Sequence, residues 1–304
     1  MKPAVGVIGL GIMGGAMAEV LSAAGYRVCG FDPLPAARSR LKRAGGRPLA
    51  SAAAVVRNAD AVIVSLATAR ALEAVSSEIA AGVPKSSLAR KPVIIETSTL
   101  PIADKAAAAR RMARAGLRTL DCPISGTAVR MKEGAWTIFV SGDAASARKV
   151  KGILAEFTRN APYVGAFGNG MRMKFIANHM VAIYNVAVAE SMTFARKMGL
   201  DAQQVWDLFA QSPVIGNGVF KLRGKFMVDR KYLPATMKVE VWQKDMQVIG
   251  DMAKAVDCPT PLFSACVPVF NAAMANGLDQ HDTASVCEVL DAMAGGTAKK
   301  KRRR

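Results

Sequence analysis

Apolar residues fall in short unbroken blocks through the first half of the chain and at helical spacing through the second. Residues 4–8 (AVGVI) read as a buried strand, a glycine turn follows, and residues 13–24 carry a helical pattern. Further strands are predicted at 26–31, 60–66, 92–96, 117–121 and 136–141, with helices at 35–44, 69–80 and 102–114. Continuous apolar strands separated by helices predict an α/β region with a doubly wound, mostly parallel sheet covered on both faces. After about Tyr163 the alternation stops. Helical patterns then occupy 170–199, 201–211, 239–256, 261–276 and 282–293. The expected organisation is an α/β domain over 1–164, an all-α domain over 165–296 entered by the long helix, and a disordered basic tail over 297–304.

The opening imitates an export signal, because Lys2 precedes an apolar stretch broken only by Glu19 up to Gly25. Six glycines within that stretch (6, 9, 11, 14, 15 and 25) disfavour a plain hydrophobic helix, so strand, turn and helix is the better reading. No other stretch approaches a membrane span in length, and no membrane association is expected. Five cysteines without a C-x-x-C spacing suit a reducing cytoplasm better than a disulfide framework or zinc ribbon. Two histidines leave little for a metal centre, and no metal is expected.

The net charge of +18 changes the picture only once it is located. Residues 1–164 hold 23 basic and 11 acidic side chains, residues 165–298 hold 12 of each, and residues 299–304 are KKKRRR. The excess therefore belongs to the α/β half and to the tail, a division of labour rather than an even coat.

Gly9-Leu10-Gly11-Ile12-Met13-Gly14 fits G-x-G-x-x-G between a predicted strand and helix. The first glycine permits the turn, the second admits a pyrophosphate, and the third lets helix and strand pack closely, as in a Rossmann-type domain. Amide donors and the dipole at the helix start favour phosphate. Asp32, at the end of the second strand, can accept hydrogen bonds from the adenosine ribose, which points to NAD; Arg38 and Arg40 beyond it leave NADP open.

GLGIMG, then Asp121-Cys122-Pro123-Ile124-Ser125-Gly126, then Gly168-Asn169-Gly170 with Lys174 and Asn178, then Lys244-Asp245, together resemble the β-hydroxyacid dehydrogenases over residues 4–294. That family includes 3-hydroxyisobutyrate dehydrogenase and tartronate semialdehyde reductase. Lys174 and Asn178, four residues apart on one helix, project from one face. An ammonium there can protonate or stabilise the oxygen of a carbonyl receiving hydride, and the amide can orient it. The resemblance implies that Ser125 and Gly126, with Thr127, hold the substrate carboxylate. Thr127 stands where a second glycine is usual, which restricts the backbone and adds a hydroxyl. By the same resemblance Leu66, Ala67 and Thr68 form the loop over the cofactor, with Ala67 replacing the usual proline. Thr99 lies near the nicotinamide ribose, and Lys244 closes over the nicotinamide end, oriented by Asp245.

His179 follows Asn178 directly and points about 100° away around the helix, so it reads as packing or surface. His281 is given no role, and Cys122 reads as a structural thiol. The implied reaction is NAD(P)-dependent interconversion of a small β-hydroxycarboxylic acid and its semialdehyde or keto form. Alternatives are imine reduction on a similar scaffold, against which Lys174 argues, and a dehydrogenase-like nucleic-acid or chromatin-binding protein. The basic half and tail favour the last, and 6% aromatics with an intact lysine motif oppose it. A long apolar helix leading an all-α domain predicts a homodimer or homotetramer.

Overall fold

The computed structural model describes residues 2–83, 91–126, 134 and 136–295. The chain divides into two compact units, residues 1–175 and 176–304, and the division falls inside one long helix.

The first unit alternates strand and helix: β1 (Ala4–Ile8), α1 (Ile12–Ala23), β2 (Arg27–Phe31), α2 (Pro35–Arg43), β3 (Arg47–Pro48), α3 (Ala52–Arg57), β4 (Ala61–Val64), α4 (Ala69–Gly82), β5 (Val93–Glu96), α5 (Ile102–Arg114) and β6 (Arg118–Asp121). All six strands are parallel, in the order β3-β2-β1-β4-β5-β6. The order reverses between β1 and β4, and such a switch point opens a crevice at the carboxyl ends of the strands. The period-2 alternation of side chains gives the sheet two buried faces. Val5, Val7, Ile63 and Ile95 pack with Met17 and Leu21 of α1 and Leu41 of α2. Ile8, Val62, Val64 and Ile94 pack instead with Val55 of α3, Leu72 and Ile79 of α4 and Met112 of α5.

Besides the two-residue β3, three features differ from the sequence expectation. The block at 136–141 supplies only β8 (Thr137–Ile138), which pairs antiparallel with β7 (Ile124–Ser125) outside the main sheet. An isolated antiparallel bridge joins Asp121 to Ser141 just beyond β8. α3 buries Ala52, Ala53, Val55 and Val56, so its six residues show no amphipathic period. α6 (Ala144–Ala155) starts at Asp143, whose carboxylate accepts from the Ser146 amide, and buries Val150, Ile153 and Leu154.

The long helix α7 (Asn169–Lys197) begins in the first unit and continues into the second. The second unit is helical in its described residues: α8 (Ala202–Ala210), a π-helical turn (Phe220–Gly224) running into α9 (Lys225–Asp229), α10 (Val239–Ala255), α11 (Pro261–Ala275), a 3-10 turn (Thr283–Ser285) and α12 (Val286–Met293). Phe263, Phe270, Trp242, Ile249 and Val289 are buried there. Asp291 pins three segments together, accepting from Thr193 Oγ1 at 2.7 Å, Arg196 at 2.9 Å and Arg230 at 2.5 Å. No described helix is long and apolar enough to cross a membrane. Residues 297–304, expected as a basic tail, lie outside the described residues.

Candidate active site

At the end of β1 the glycine motif turns the chain into α1. Gly9 has φ +86°, and a Cβ there would lie 2.1 Å from the Ser65 carbonyl oxygen; one on Gly14 would lie 1.9 Å from the Gly9 oxygen. A Cβ on Gly11 would meet nothing within 4 Å. Gly11 is the N-cap of α1, and no side chain caps that end. Two glycines thus permit the packing, and the middle one leaves open space beside a run of helix-start amides, the geometry a pyrophosphate requires. Ile12 is exposed at this start, Met13 is half-buried, and Leu10 is buried beneath the turn.

Asp32 follows β2 directly. Its Oδ2 accepts from the Leu10 amide and its Oδ1 from the Leu34 amide, both at 2.8 Å, so the carboxylate ties the glycine turn to the edge of β2. An ionised carboxylate has about four acceptor positions, so two amides leave capacity for ribose hydroxyls. Arg38 Nη1 donates to the Asp32 and Pro33 carbonyl oxygens, and Arg40 Nη2 to that of Leu10. Both guanidinium groups therefore hold main chain around the turn. Leu34, exposed beside Asp32, is an apolar neighbour of this edge that its own sequence context did not mark.

At the ends of β4 and β5, Ser98 Oγ accepts from the Leu66 amide at 2.9 Å, fixing the start of the Leu66-Ala67-Thr68 loop. Thr68 also caps α4 by accepting from the Ala71 amide. Thr99 follows Ser98 at the same strand end. Ser125 ends β7, and Gly126 has φ +150° with the Trp136 ring only 2.3 Å from where its Cβ would stand. Any larger residue would displace that buried ring. Thr127 lies outside the described residues.

Beneath these strand ends lies a polar cluster that the sequence reading did not assemble. Lys105, in the first turns of α5, is buried; its Nζ reaches Glu96 Oε2 at 2.8 Å, Asp121 Oδ1 at 2.5 Å and the Ser98 carbonyl oxygen at 2.9 Å. Burial opposes the charge, but the two carboxylates outweigh it and raise the ammonium pKa above the ordinary lysine range. Glu96 and Asp121 are register partners on neighbouring strands, so the sheet sets two acids side by side. Apolar strands that both end in an acid were the available signal; the lysine that joins them had none. Cys122 is buried beside Asp121, and desolvation first, then that charge, pushes its thiol far up, consistent with a structural role.

On α7, Lys174 is buried, and Asn178 follows one turn later, also buried. In the second unit Asn178 Nδ2 donates to Asp245 Oδ2 at 3.0 Å, and Lys244 Nζ lies 3.3 Å from Asp245 Oδ1. Asp245 thus fixes the Asn178 amide and sits beside the Lys244 ammonium, which is partly exposed. His179 stacks on Phe263 with ring centroids 5.3 Å apart, a packing contact. The His281 amide donates to the Leu278 carbonyl oxygen in the turn ahead of Thr283–Ser285. Among the described residues no group of three or more His, Cys, Asp or Glu is placed to hold a metal ion.

The profile of the NAD-binding domain of 6-phosphogluconate dehydrogenase matches residues 4–165, and that of the NAD-binding region of NADP-dependent 3-hydroxyisobutyrate dehydrogenase matches residues 168–290. L-threonate dehydrogenase of Cupriavidus necator is 31% identical over 294 residues, covering 95% of this chain and 97% of that protein. The chain belongs to the β-hydroxyacid dehydrogenase family. Another relative of this family, 2-hydroxy-3-oxopropionate reductase of Escherichia coli, is 31% identical, with 95% and 98% of the two chains covered. The crystal structure of 3-hydroxyisobutyrate dehydrogenase from Salmonella typhimurium superposes with a TM-score of 0.81 at 28% identity, covering 95% of this chain and all of that one. As a β-hydroxyacid dehydrogenase, the protein is an NAD(P)-dependent oxidoreductase acting on a CH–OH group.

Proposed function

We propose that this β-hydroxyacid dehydrogenase interconverts a small β-hydroxycarboxylic acid and its semialdehyde or keto form, with Lys174 as the general acid and base. The observation that carries the reading is the burial of Lys174 one helical turn from Asn178, whose amide is held by Asp245. In the reducing direction Lys174 gives a proton to the carbonyl oxygen; in the oxidising direction it takes the hydroxyl proton. Asn178 donates one amide hydrogen to Asp245, leaving its carbonyl oxygen and second hydrogen to orient the substrate oxygen. Ser125, Gly126 and Thr127 hold the carboxylate.

The dinucleotide, when bound, supplies or accepts the hydride. The residues that hold it are Gly9 to Gly14, Asp32, the Leu66-Ala67-Thr68 loop and Thr99, with Lys244 closing over the nicotinamide end. The open space at Gly11 fits a pyrophosphate, and the Asp32 carboxylate favours NAD because a 2′-phosphate beside it would be repelled. Residues 1–164 act as the cofactor-binding region and 165–296 as the catalytic and oligomerisation region. Exposed Phe194, Met198, Leu200, Leu208 and Val214 in the second unit support a homodimer or homotetramer. A cytoplasmic location agrees with five cysteines that are all free.

The test is NADH- and NADPH-linked turnover of L-threonate, tartronate semialdehyde and 3-hydroxyisobutyrate by the parent protein and by Lys174→Ala. Loss of an acid–base residue costs on the order of 10²–10⁴ in turnover. Lys174→Ala should lose that much while binding NADH as before; unchanged turnover would remove Lys174 from the chemistry.

A further inference from the structure

The start of α7 is closed by the protein itself. Gly168, ahead of the helix, has φ +94° and no side chain with which to cap it. The cap comes instead from the strand ends. Ser141 Oγ accepts from the Gly170 amide at 2.9 Å, and Asp121 Oδ2 accepts from the Met171 amide at 2.9 Å. Ser141 in turn donates to Asp121. The other carboxylate oxygen of Asp121 is taken by Lys105, whose Nζ also lies 3.8 Å from Met171 Sδ. A Cβ on Gly170 would come within 2.5 Å of the Phe139 carbonyl oxygen and 2.7 Å of that of Asp121, so the helix start lies flush on the backbone. Lys174 leaves the helix three residues after Met171.

Lys105 has three donors and three oxygen partners, each from a different group: Glu96, Asp121 and the Ser98 carbonyl. Ser98 carries the constraint on to the Leu66 amide. One ammonium therefore ties together the end of β4, the end of β5, the end of β6 and the first turn of α7. A cluster needed only for stability would be replaceable by apolar packing, and buried ion pairs are often no more stabilising than that. What apolar packing does not supply is direction: a carboxylate that accepts a particular helix amide sets the height and rotation of everything along that helix.

We infer that Lys105, Asp121 and Ser141 are positioning residues for the reaction, fixing through the N-terminus of α7 where Lys174 presents its ammonium. This rests on Lys174 as the acid and base. All three are buried, and they act through the helix. Displacing a reacting group by about 1 Å can cost on the order of 10² in rate, so a cap that slips is read in the chemical step.

Ser141→Ala is the first variant, because it removes one cap bond and keeps the charges balanced. Lys105→Met and Asp121→Asn are the stronger perturbations, and Asp121→Glu, which keeps the charge but lengthens the arm, is the partner control. Each is purified as the full chain and assayed with whichever of L-threonate, tartronate semialdehyde and 3-hydroxyisobutyrate the parent turns over fastest. NADH affinity, KM, kcat per folded molecule and the primary deuterium isotope effect on kcat are measured beside Lys174→Ala. The expected result for Ser141→Ala is a kcat about tenfold lower, NADH affinity and KM within twofold, and a larger isotope effect as hydride transfer becomes limiting. Asp121→Glu should not restore the parent rate, because charge without the right reach leaves the helix displaced. If kcat falls only in proportion to folded protein, with the isotope effect unchanged, the residues are structural and the inference is overturned while Lys174 keeps its role. If Lys174→Ala itself turns over normally, both are overturned.

Discussion

Two helix starts in the first unit carry nearly the same glycine pattern and are finished in opposite ways. At α1 the N-cap is Gly11, no side chain caps it, and a Cβ would project into open space. At α7 the amides of Gly170 and Met171 are taken by Ser141 and Asp121, and a Cβ on Gly170 has no room. A helix start offers unsatisfied amides and a favourable field for an anion. The first is left open, as the proposed diphosphate site requires; at the second, the chain provides its own carboxylate and pairs it with Lys105. Glycine serves both ends, in one case to leave space and in the other to remove it.

The difference predicts unequal sensitivity, and the largest effect belongs to the closed end. The Lys105 pKa is raised in the folded state, so its stabilisation is complete below the unfolded lysine value, about pH 10.4, and is lost as pH rises through the folded value. Its neighbours are Glu96, Asp121, Cys122 and Met171. Breaking a buried pair by losing one partner costs about 3–5 kcal/mol. Lys105→Met should therefore melt far below the parent near neutral pH, with the gap narrowing above about pH 10.4. A gap constant through that range would deny Lys105 the charge assigned to it.

At the open end, Gly11→Asp places a carboxylate at the proposed diphosphate site, where a Cβ meets no neighbour. NADH affinity should fall by on the order of 10²-fold, about 2.7 kcal/mol, while the melting temperature stays close to the parent; fluorescence titration and a thermal melt read both. Gly170→Ala should do the reverse, lowering stability by about 1–3 kcal/mol as an overpacked site does, with NADH affinity kept. If both variants lost stability and neither lost cofactor, the contrast between the two ends would collapse. The smallest effect is expected at Asp32→Ala, which removes the proposed ribose acceptor and the tie to Leu10 together. The preference for NADH over NADPH should shrink about tenfold, or roughly 1.4 kcal/mol; an unchanged ratio of kcat/KM values would place cofactor selection elsewhere, with Arg38 and Arg40 the first residues to test.

The charge excess of the first half also looks different in three dimensions. Arg38, Arg40 and Arg57 donate to main-chain carbonyls at turns and helix ends, Arg47 to the Asn58 side chain, and Arg111 pairs with Glu73. Several of these side chains fasten connections between strands and helices. That assigns local structural work to part of the excess.

The alternation of β1, β2, β4, β5 and β6 with α1, α2, α4 and α5, the glycine turn after β1, the acid after β2 and the one-turn spacing of Lys174 and Asn178 were all present in the sequence. Each rests on local stereochemistry: a side-chain period of two or 3.6, a positive φ, or a fixed rise along one helix. α3 escaped because it is buried nearly all round, and β3, β7 and β8 because two residues establish no period. The cluster around Lys105 escaped for a different reason. Asp121 and Met171 are 50 positions apart, Ser141 and Gly170 are 29, and Lys105 and Met171 are 66. Residue types alone do not distinguish a lysine on a solvated helix face from one beneath two strand ends; the pairing of β5 with β6 and the landing of α7 on their ends decide it. The longer segments are legible along the chain because their periods follow from near neighbours. Which helix start stays open and which is closed is set only in the folded chain, because a cap supplied from another strand exists only after the sheet has formed.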